Sequence, residues 1–239
     1  MVPPESPNLK KIVAEAAVNH YVKDGMAVGL GTGSTAEYAV RRVGELVASG
    51  YELTCVATSL RTEKLAVEAG VKVSDLSDVD HLDVTIDGAD EVDPDLQLIK
   101  GLGGALLREK IVAAATVREI IIVDESKLVQ KLGTKSPLPV EVIRFGHART
   151  KYAVERQGCK ATIRATDGKP FVTDGGNYVY DCAFESIENP FFLESRLDVI
   201  PGVVENGLFL NTAYAVLSAD REGIVTRIER GGVREILKP

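Results

Sequence analysis

The chain has 239 residues, 45% of them hydrophobic, and a formal net charge of −7. That length holds one large domain, or one domain and a smaller companion, with enough residues to bury a core. The acidic balance argues against a nucleic-acid partner, which calls for a basic patch.

Three cysteines, Cys55, Cys159 and Cys182, are odd in number and lack C-x-x-C spacing, so reduced thiols are expected and neither a disulfide framework nor a zinc site is predicted. The opening MVPPESPNLKK has no apolar h-region, and no later stretch approaches the run of about 20 apolar residues that a membrane span needs. The expectation is an unsecreted cytoplasmic protein with no membrane partner, mobile before Leu9.

From Leu9, apolar Ile12, Val13, Ala16, Ala17, Tyr21 and Val22 trace a helical stripe that stops near Asp24-Gly25. A strand follows over Met26 to Leu30, then GLGTGSTA, then a helix from Ala36 to Ala48. Tyr51 to Ala57 reads as a strand ending in Thr58-Ser59, with a helix through Ala69 and a brief strand at Val71 to Val73. A strand closed by Asp87, a glycine-led helix from Gly103 to about Val117, and a strand over Glu119 to Val123 ending in Asp124 to Lys127 complete an alternating pattern. Such alternation implies right-handed crossovers and a mainly parallel sheet. Gly31 to Thr35, Thr58-Ser59, Asp87 to Asp90 and Asp124 to Lys127 all follow strands, which predicts that they gather in the crevice outside the strands' carboxyl ends.

Near Gly133 to Pro139 the pattern changes. Strand-like Val140 to Ile143, a helix near Ala148 to Gln157, strand-like Ala161 to Ala165, a hairpin from Phe171 to Phe184 around Asp174-Gly175-Gly176-Asn177, and a helix near Pro190 to Val199 read as an α+β segment. Beyond Leu208, Ala213 to Leu217 and Ile224 to Ile228 read as strands around a turn at Asp220 to Gly223, returning to the first sheet.

The chemistry concentrates between Val84 and Lys110. Asp87 and Asp90 fall in the turn after a buried strand, and Lys100 precedes Gly101, Gly103 and Gly104, whose freedom at positive φ lets backbone N–H groups face a ligand. Glu109 shares the helical stripe of Ala105, Leu106, Val112 and Ala113, so its carboxylate points into the core. Desolvation there would tune it toward a general base near pH 7, unless Lys100 cancels the effect; a purely structural Glu109–Lys100 ion pair is the plainer alternative.

Gly29 to Thr35 lacks the last glycine of a dinucleotide fingerprint and the lysine of a Walker A loop. What remains is a backbone nest with the hydroxyls of Thr32, Ser34 and Thr35 at a helix start, suited to a phosphate monoester; the alternative is a turn in which Ser34 merely caps the helix. Asp87, Asp90, Glu91, Asp93 and Asp95 do not match a calcium loop, and Glu91, Asp93 and Asp95 read as a solvated acidic turn. His20, His81 and His147 show no metal or triad spacing.

GLGTGSTA at 29–36, DGADEVD at 87–93 and KGLGGALLREK at 100–110 stand in the order and spacing of the A-type ribose-5-phosphate isomerases, which the chain also resembles at TSLRTEKLA (58–66), VDESKLVQKLG (123–133), PLPVEVI (137–143) and IPGVVENGLF (200–209). The resemblance implies a cofactor-free aldose–ketose isomerase interconverting ribose 5-phosphate and ribulose 5-phosphate through an enediolate, in the pentose phosphate pathway, with no metal. It implies Glu109 as the base and Asp87, Asp90 and Lys100 as active-site residues. Thr32, Gly33, Ser34, Thr35, Gly88, Ala89, Gly101, Leu102, Gly103 and Lys127 match substrate-binding positions. It further implies an α/β fold: a Rossmann-like, mainly parallel sheet domain over 1–131 plus 207–239, a smaller α+β domain over 132–206, and a homodimer or homotetramer. A sugar-phosphate sensing module, which would need no base, and a Schiff-base aldolase using Lys100 are the rivals.

Overall fold

The computed structural model describes residues 7–237; the expectation for the segment before Leu9 falls, over residues 1–6, outside them. In chain order the helices are α1 (Leu9–Tyr21), α2 (Ala36–Ala48), α3 (Leu60–Glu68), α4 (Leu106–Ala114), α5 (His147–Glu155) and α6 (Pro190–Asp198). The strands are β1 (Ala27–Leu30), β2 (Thr54–Ala57), β3 (Val84–Gly88), β4 (Glu91–Val92), β5 (Leu98–Ile99), β6 (Glu119–Asp124), β7 (Leu138–Val142), β8 (Lys160–Ile163), β9 (Ala165–Thr166), β10 (Lys169–Pro170), β11 (Tyr178–Ala183), β12 (Val203–Asn206), β13 (Leu208–Phe209), β14 (Ala213–Ala219), β15 (Val225–Ile228) and β16 (Arg234–Ile236). The chain divides into two compact units: residues 1–88, 115–127 and 213–239 form the first, and residues 89–114 and 128–212 the second.

The first unit is a seven-stranded sheet in the order β16-β15-β14-β6-β3-β1-β2. Its β2, β1, β3, β6 and β14 are parallel, β15 runs antiparallel to β14, and β16 antiparallel to β15. The parallel strands are short apolar runs because helices cover the sheet. Thus α2 buries Ala39, Val40 and Val43, and α1 buries Val13, Ala14, Ala17, Val18 and Tyr21, against Val28, Val84, Ile86, Ile120 and Ile122. Local signals set the helix starts: Asn8 accepts from the Lys11 N–H, and the Ser59 hydroxyl accepts from the Thr62 N–H. Chain order reverses between β1 and β3, so the loops leaving them at Gly31 and Gly88 lie at a switch point on the carboxyl edge of the sheet. Thr58-Ser59 after β2 and Asp124 to Lys127 after β6 leave by the same edge.

The second unit holds a four-stranded antiparallel sheet, β12-β7-β11-β8, a three-stranded one, β13-β5-β4, and the small β9–β10 ribbon. Its core gathers Val140, Val142, Tyr180, Cys182, Leu193, Leu197 and Leu208. Asn189 caps α6, with Pro190 in the first turn.

Three local expectations are revised. Val71 to Val73 makes only an isolated bridge, Val73 to Cys55. The hairpin turn falls at Asp167-Gly168, between β9 and β10, and not at Asp174 to Asn177: β11 pairs with β7 and β8, while Thr173 is spent on a tight turn that accepts the Gly176 N–H. Helix α4 begins at Leu106, because Gly101 and Gly104 take φ of +97° and +84° and keep the preceding residues in a loop. No helix among the described residues is long and apolar enough to cross a membrane.

The cysteines are free, with Cys55 and Cys182 buried and Cys159 half-buried. Burial pushes the Cys55 thiol up to about 12. Cys159 and Cys182 share a hydrogen bond that holds the Cys159 thiol below the ordinary range, and that bond, with burial, pushes Cys182 well above it. Iodoacetamide at about pH 8 should therefore alkylate Cys159 first and leave Cys55 and Cys182 untouched until denaturant is added, as read by peptide mass mapping.

Candidate active site

The nest of the first unit is built on close approach. A Cβ on Gly31 would sit 2.3 Å from Asp87 Oδ1, and one on Gly29 would sit 2.0 Å from Thr85 Oγ1, so only glycine lets β1 and its loop lie against β3. Asp87, 1% exposed, accepts hydrogen bonds from the Thr32 N–H (3.0 Å) and the Gly88 N–H (2.7 Å). Its carboxylate thereby ties the loop after β1 to the end of β3. The Thr32 hydroxyl is also engaged, with Thr58 Oγ1 at 2.7 Å, Ser59 Oγ at 2.8 Å and Thr62 Oγ1 at 3.0 Å. Thr32 thus braces the loop, while Ser34 stands exposed and Thr35 half-exposed at the start of α2. Ser34 does not cap the helix: the cap position is Thr35, which makes no side-chain cap bond, and the Ser34 hydroxyl accepts from Lys10 Nζ at 2.8 Å. An ammonium, two hydroxyls and a helix N-terminus converge on this loop, an arrangement whose charge and donors suit an anion. Lys127 closes the short 3-10 turn after β6 and is half-exposed.

The second unit carries a buried carboxylate and ammonium side by side. Glu109 lies on the buried stripe of α4 with Leu106, Val112 and Ala113. Its carboxylate oxygen stands 3.5 Å from Lys100 Nζ, the two side chains being 3% and 2% exposed. Lys100 leaves the end of β5, and its N–H donates to the Gly207 carbonyl at 2.9 Å. Asp90 closes the glycine loop from the other side: its N–H donates to the Ile99 carbonyl, and its carboxylate accepts the Leu102 N–H at 3.0 Å. A Cβ on Gly101 would meet Leu106 Cβ at 2.6 Å, and one on Gly104 would meet Phe171 Cζ at 2.4 Å. The loop from Gly101 to Gly104 is therefore packed and held, with Leu102 and Gly103 exposed at its tip and Ala89 half-exposed ahead of Asp90.

Three supporting residues escaped the sequence reading. Arg164 donates through Nη1 to the carbonyls of Gly101 (3.1 Å) and Leu102 (3.0 Å) while forking onto Asp181. Lys10 belongs to the α1 stripe pattern only as a polar position, and nothing in its spacing connects it to Ser34. Glu91, expected in a solvated acidic turn, is fully buried, and its carboxylate accepts the N–H groups of Gly133 (2.6 Å), Lys135 (2.6 Å) and Ser136 (2.5 Å). Within that acidic run Asp95 is exposed as expected, whereas Asp93 is half-buried in a turn that accepts the Gln97 and Asp95 N–H groups, and burial raises its pKa.

The first unit presents a glycine-bearing loop at the carboxyl ends of parallel strands, and the second unit by itself buries a carboxylate beside an ammonium; the chain is an α/β protein. The family model for ribose 5-phosphate isomerase A (phosphoriboisomerase A) matches residues 54–223. Ribose-5-phosphate isomerase A of Gloeobacter violaceus is 53% identical over 217 residues, covering 90% of this chain and 94% of its own, and that of Bacillus mycoides is 47% identical, covering 91% and 98%. Among solved structures, the ribose 5-phosphate isomerase of Plasmodium falciparum superposes with a TM-score of 0.91 at 39% identity, covering 93% of this chain and 98% of its own. A D-ribose-5-phosphate isomerase in complex with phospho-erythronic acid superposes with a TM-score of 0.90 at 40% identity, covering 95% and 100%. The chain belongs to the ribose 5-phosphate isomerase A family.

Gly104→Ala should destabilise the protein by about 2 to 4 kcal/mol, combining a strained positive φ with overpacking against Phe171. Chemical denaturation measures this, and Phe171→Leu in the same chain should recover only the packing part.

Proposed function

We propose that the protein interconverts D-ribose 5-phosphate and D-ribulose 5-phosphate through an enediolate, with Glu109 as the base that moves the proton between C2 and C1. The observation that carries this reading is the Glu109 carboxylate, on an otherwise apolar helix face and 3.5 Å from a buried ammonium. Its carboxylate would take the C2 proton of the open-chain aldose. The C–H electrons become the C1–C2 double bond, and the carbonyl oxygen on C1 gains the negative charge. Glu109 then returns the proton to C1 as the hydroxyl proton on O2 passes toward O1, leaving a ketone at C2. Lys100 supplies the positive charge that stabilises the oxyanion as it forms. Asp87 and Asp90 are assigned to ring opening and to the surroundings that stabilise the oxyanion, and the N–H groups of Ala89, Gly101 and Gly103 to the sugar hydroxyls.

The phosphate is assigned to Gly33, Ser34 and Thr35, with Lys10 and Lys127 providing positive charge. The related isomerase bound to phospho-erythronic acid supports the substrate class, because a phosphorylated polyhydroxy acid combines a phosphate with a planar anionic end that resembles an enediolate. The same reading places the enzyme in the cytoplasm, in the pentose phosphate pathway, as a homodimer or homotetramer.

The decisive experiment is proton exchange. EDTA-treated protein incubated with ribose 5-phosphate in D₂O should form ribulose 5-phosphate with solvent deuterium at carbon, followed by NMR at C1 and C2. Glu109→Gln should still bind substrate and lose about 10²- to 10⁴-fold in turnover; near-normal turnover would remove Glu109 from the base role. Binding without conversion in the unaltered protein would instead mark a sugar-phosphate sensor. Lys10→Ala should raise KM roughly tenfold, as expected for one exposed charge-assisted contact, with kcat changed far less. Steady-state kinetics at low ionic strength separates the two effects.

A further inference from the structure

Arg164 stands between β8 and β9, and the β9–β10 ribbon carries the chain from it to Phe171. The Phe171 N–H donates back to the Arg164 carbonyl at 2.8 Å, and the Arg164 N–H donates to the Val179 carbonyl at 2.8 Å, so both residues are fixed by backbone bonds. Their side chains meet, with the guanidinium carbon 5.9 Å from the centre of the Phe171 ring, within reach of a cation–π contact. Both press on the same loop. The Phe171 ring fills the space that a Cβ on Gly104 would need, and Arg164 Nη1 donates to the carbonyls of Gly101 at 3.1 Å and Leu102 at 3.0 Å. The other edge of the guanidinium forks onto Asp181, with Nε 3.1 Å from Oδ2 and Nη2 donating to Oδ1. Asp181 lies within β11, opposite Thr162 of β8, so the fork is anchored in the antiparallel sheet.

A planar trans peptide turns its N–H opposite to its C=O. Two successive peptides of the loop are therefore oriented by one side chain. In the first, the Gly101 carbonyl takes Arg164 and the Leu102 N–H points the other way, to the Asp90 carboxylate at 3.0 Å. In the second, the Leu102 carbonyl takes Arg164, which turns the N–H of the exposed Gly103 away from the guanidinium. Only 14% of the arginine side chain is exposed, so its charge is weakly screened by water. A cation on a carbonyl also polarises the peptide: charge-assisted bonds are about twice as strong as neutral ones, and linked bonds strengthen one another by about 10 to 30%. The arginine charge is thus passed along the Leu102–Gly103 peptide and makes the Gly103 N–H a stronger donor.

We propose that Arg164 is a positioning residue for the isomerisation: through the Gly101 and Leu102 carbonyls it sets the direction and strength of the Gly103 N–H as a donor to the sugar hydroxyls. Asp181 and Phe171 hold the guanidinium in place for this. The inference rests on the reading of the Gly101 to Gly103 loop as a sugar-binding segment.

The test compares Arg164→Ala and Arg164→Lys with the unaltered full chain, using ribose 5-phosphate. Arg164→Ala should raise KM about tenfold with kcat within about threefold, the pattern of a lost binding donor. Arg164→Lys keeps the charge but cannot fork, and should raise KM only about threefold. A second readout follows the peptide itself. Labelling with carbonyl-13C leucine and 15N glycine selects the three Leu–Gly peptides, at 30–31, 102–103 and 132–133. Loss of a hydrogen bond to a carbonyl moves the 15N resonance of the following residue upfield, so in Arg164→Ala the Gly103 signal should move and the other two should stay. An unchanged KM overturns the proposal. So does a raised KM with the Gly103 signal in place, since Arg164 would then act elsewhere, or with all three signals displaced, since the loss would be a general loosening of the fold. If Arg164→Ala does not fold, Arg164→Lys carries both readouts. Absence of isomerisation by the unaltered chain sinks the underlying reading, whereas turnover there with a flat KM across the variants sinks only the role of Arg164.

Discussion

The organisation of the second unit follows from one constraint, an ammonium and a carboxylate kept away from water at Lys100 and Glu109. Taking each charge out of water costs several kcal/mol, and their attraction offsets this only when geometry is fixed and other polar groups take up the remaining charge. The surroundings supply that fixing. The glycine loop places Glu109 one turn into α4, Gly207 anchors the Lys100 backbone, and the Phe209 ring lies under the ammonium.

Support for that pair comes from groups that hold the glycine loop around it. Arg164 holds the Gly101 and Leu102 carbonyls from β8's end of the antiparallel sheet, and Asp90 holds the Leu102 N–H. Glu91, a single residue on, gathers three N–H groups of the 133–136 loop onto the start of β4. An acidic run that looks uniform in one dimension is thus divided in three: Asp90 turns to the glycine loop, Glu91 goes into the core, and Asp95 faces water. In the first unit the equivalent economy is steric. Glycines at 29 and 31 let β1 approach β3 so closely that Asp87 can hold the loop after β1 by its backbone.

What the sequence by itself determined were the features that depend on neighbours in the chain. Apolar periodicity placed α1, α2 and α6 nearly to the residue, the βαβ rhythm implied the parallel sheet, and the helical stripe alone turned Glu109 inward. The glycine-bearing motifs gave the family, because a turn at positive φ or a backbone contact without room for Cβ restricts the residue type locally. What only the tertiary structure decided were contacts between residues far apart in the chain. No spacing rule joins Lys10 to Ser34, Arg164 to Gly101, Glu91 to Gly133, or Phe209 to Lys100. The hairpin placed at Asp174 to Asn177 was drawn from turn composition, but strand pairing depends on which partner a strand meets, and β11 meets β7 and β8. Local propensity fixes the elements and the residues they present, whereas the partner of each buried charge is chosen by the packing of distant segments, where the cost of an unpaired group is highest.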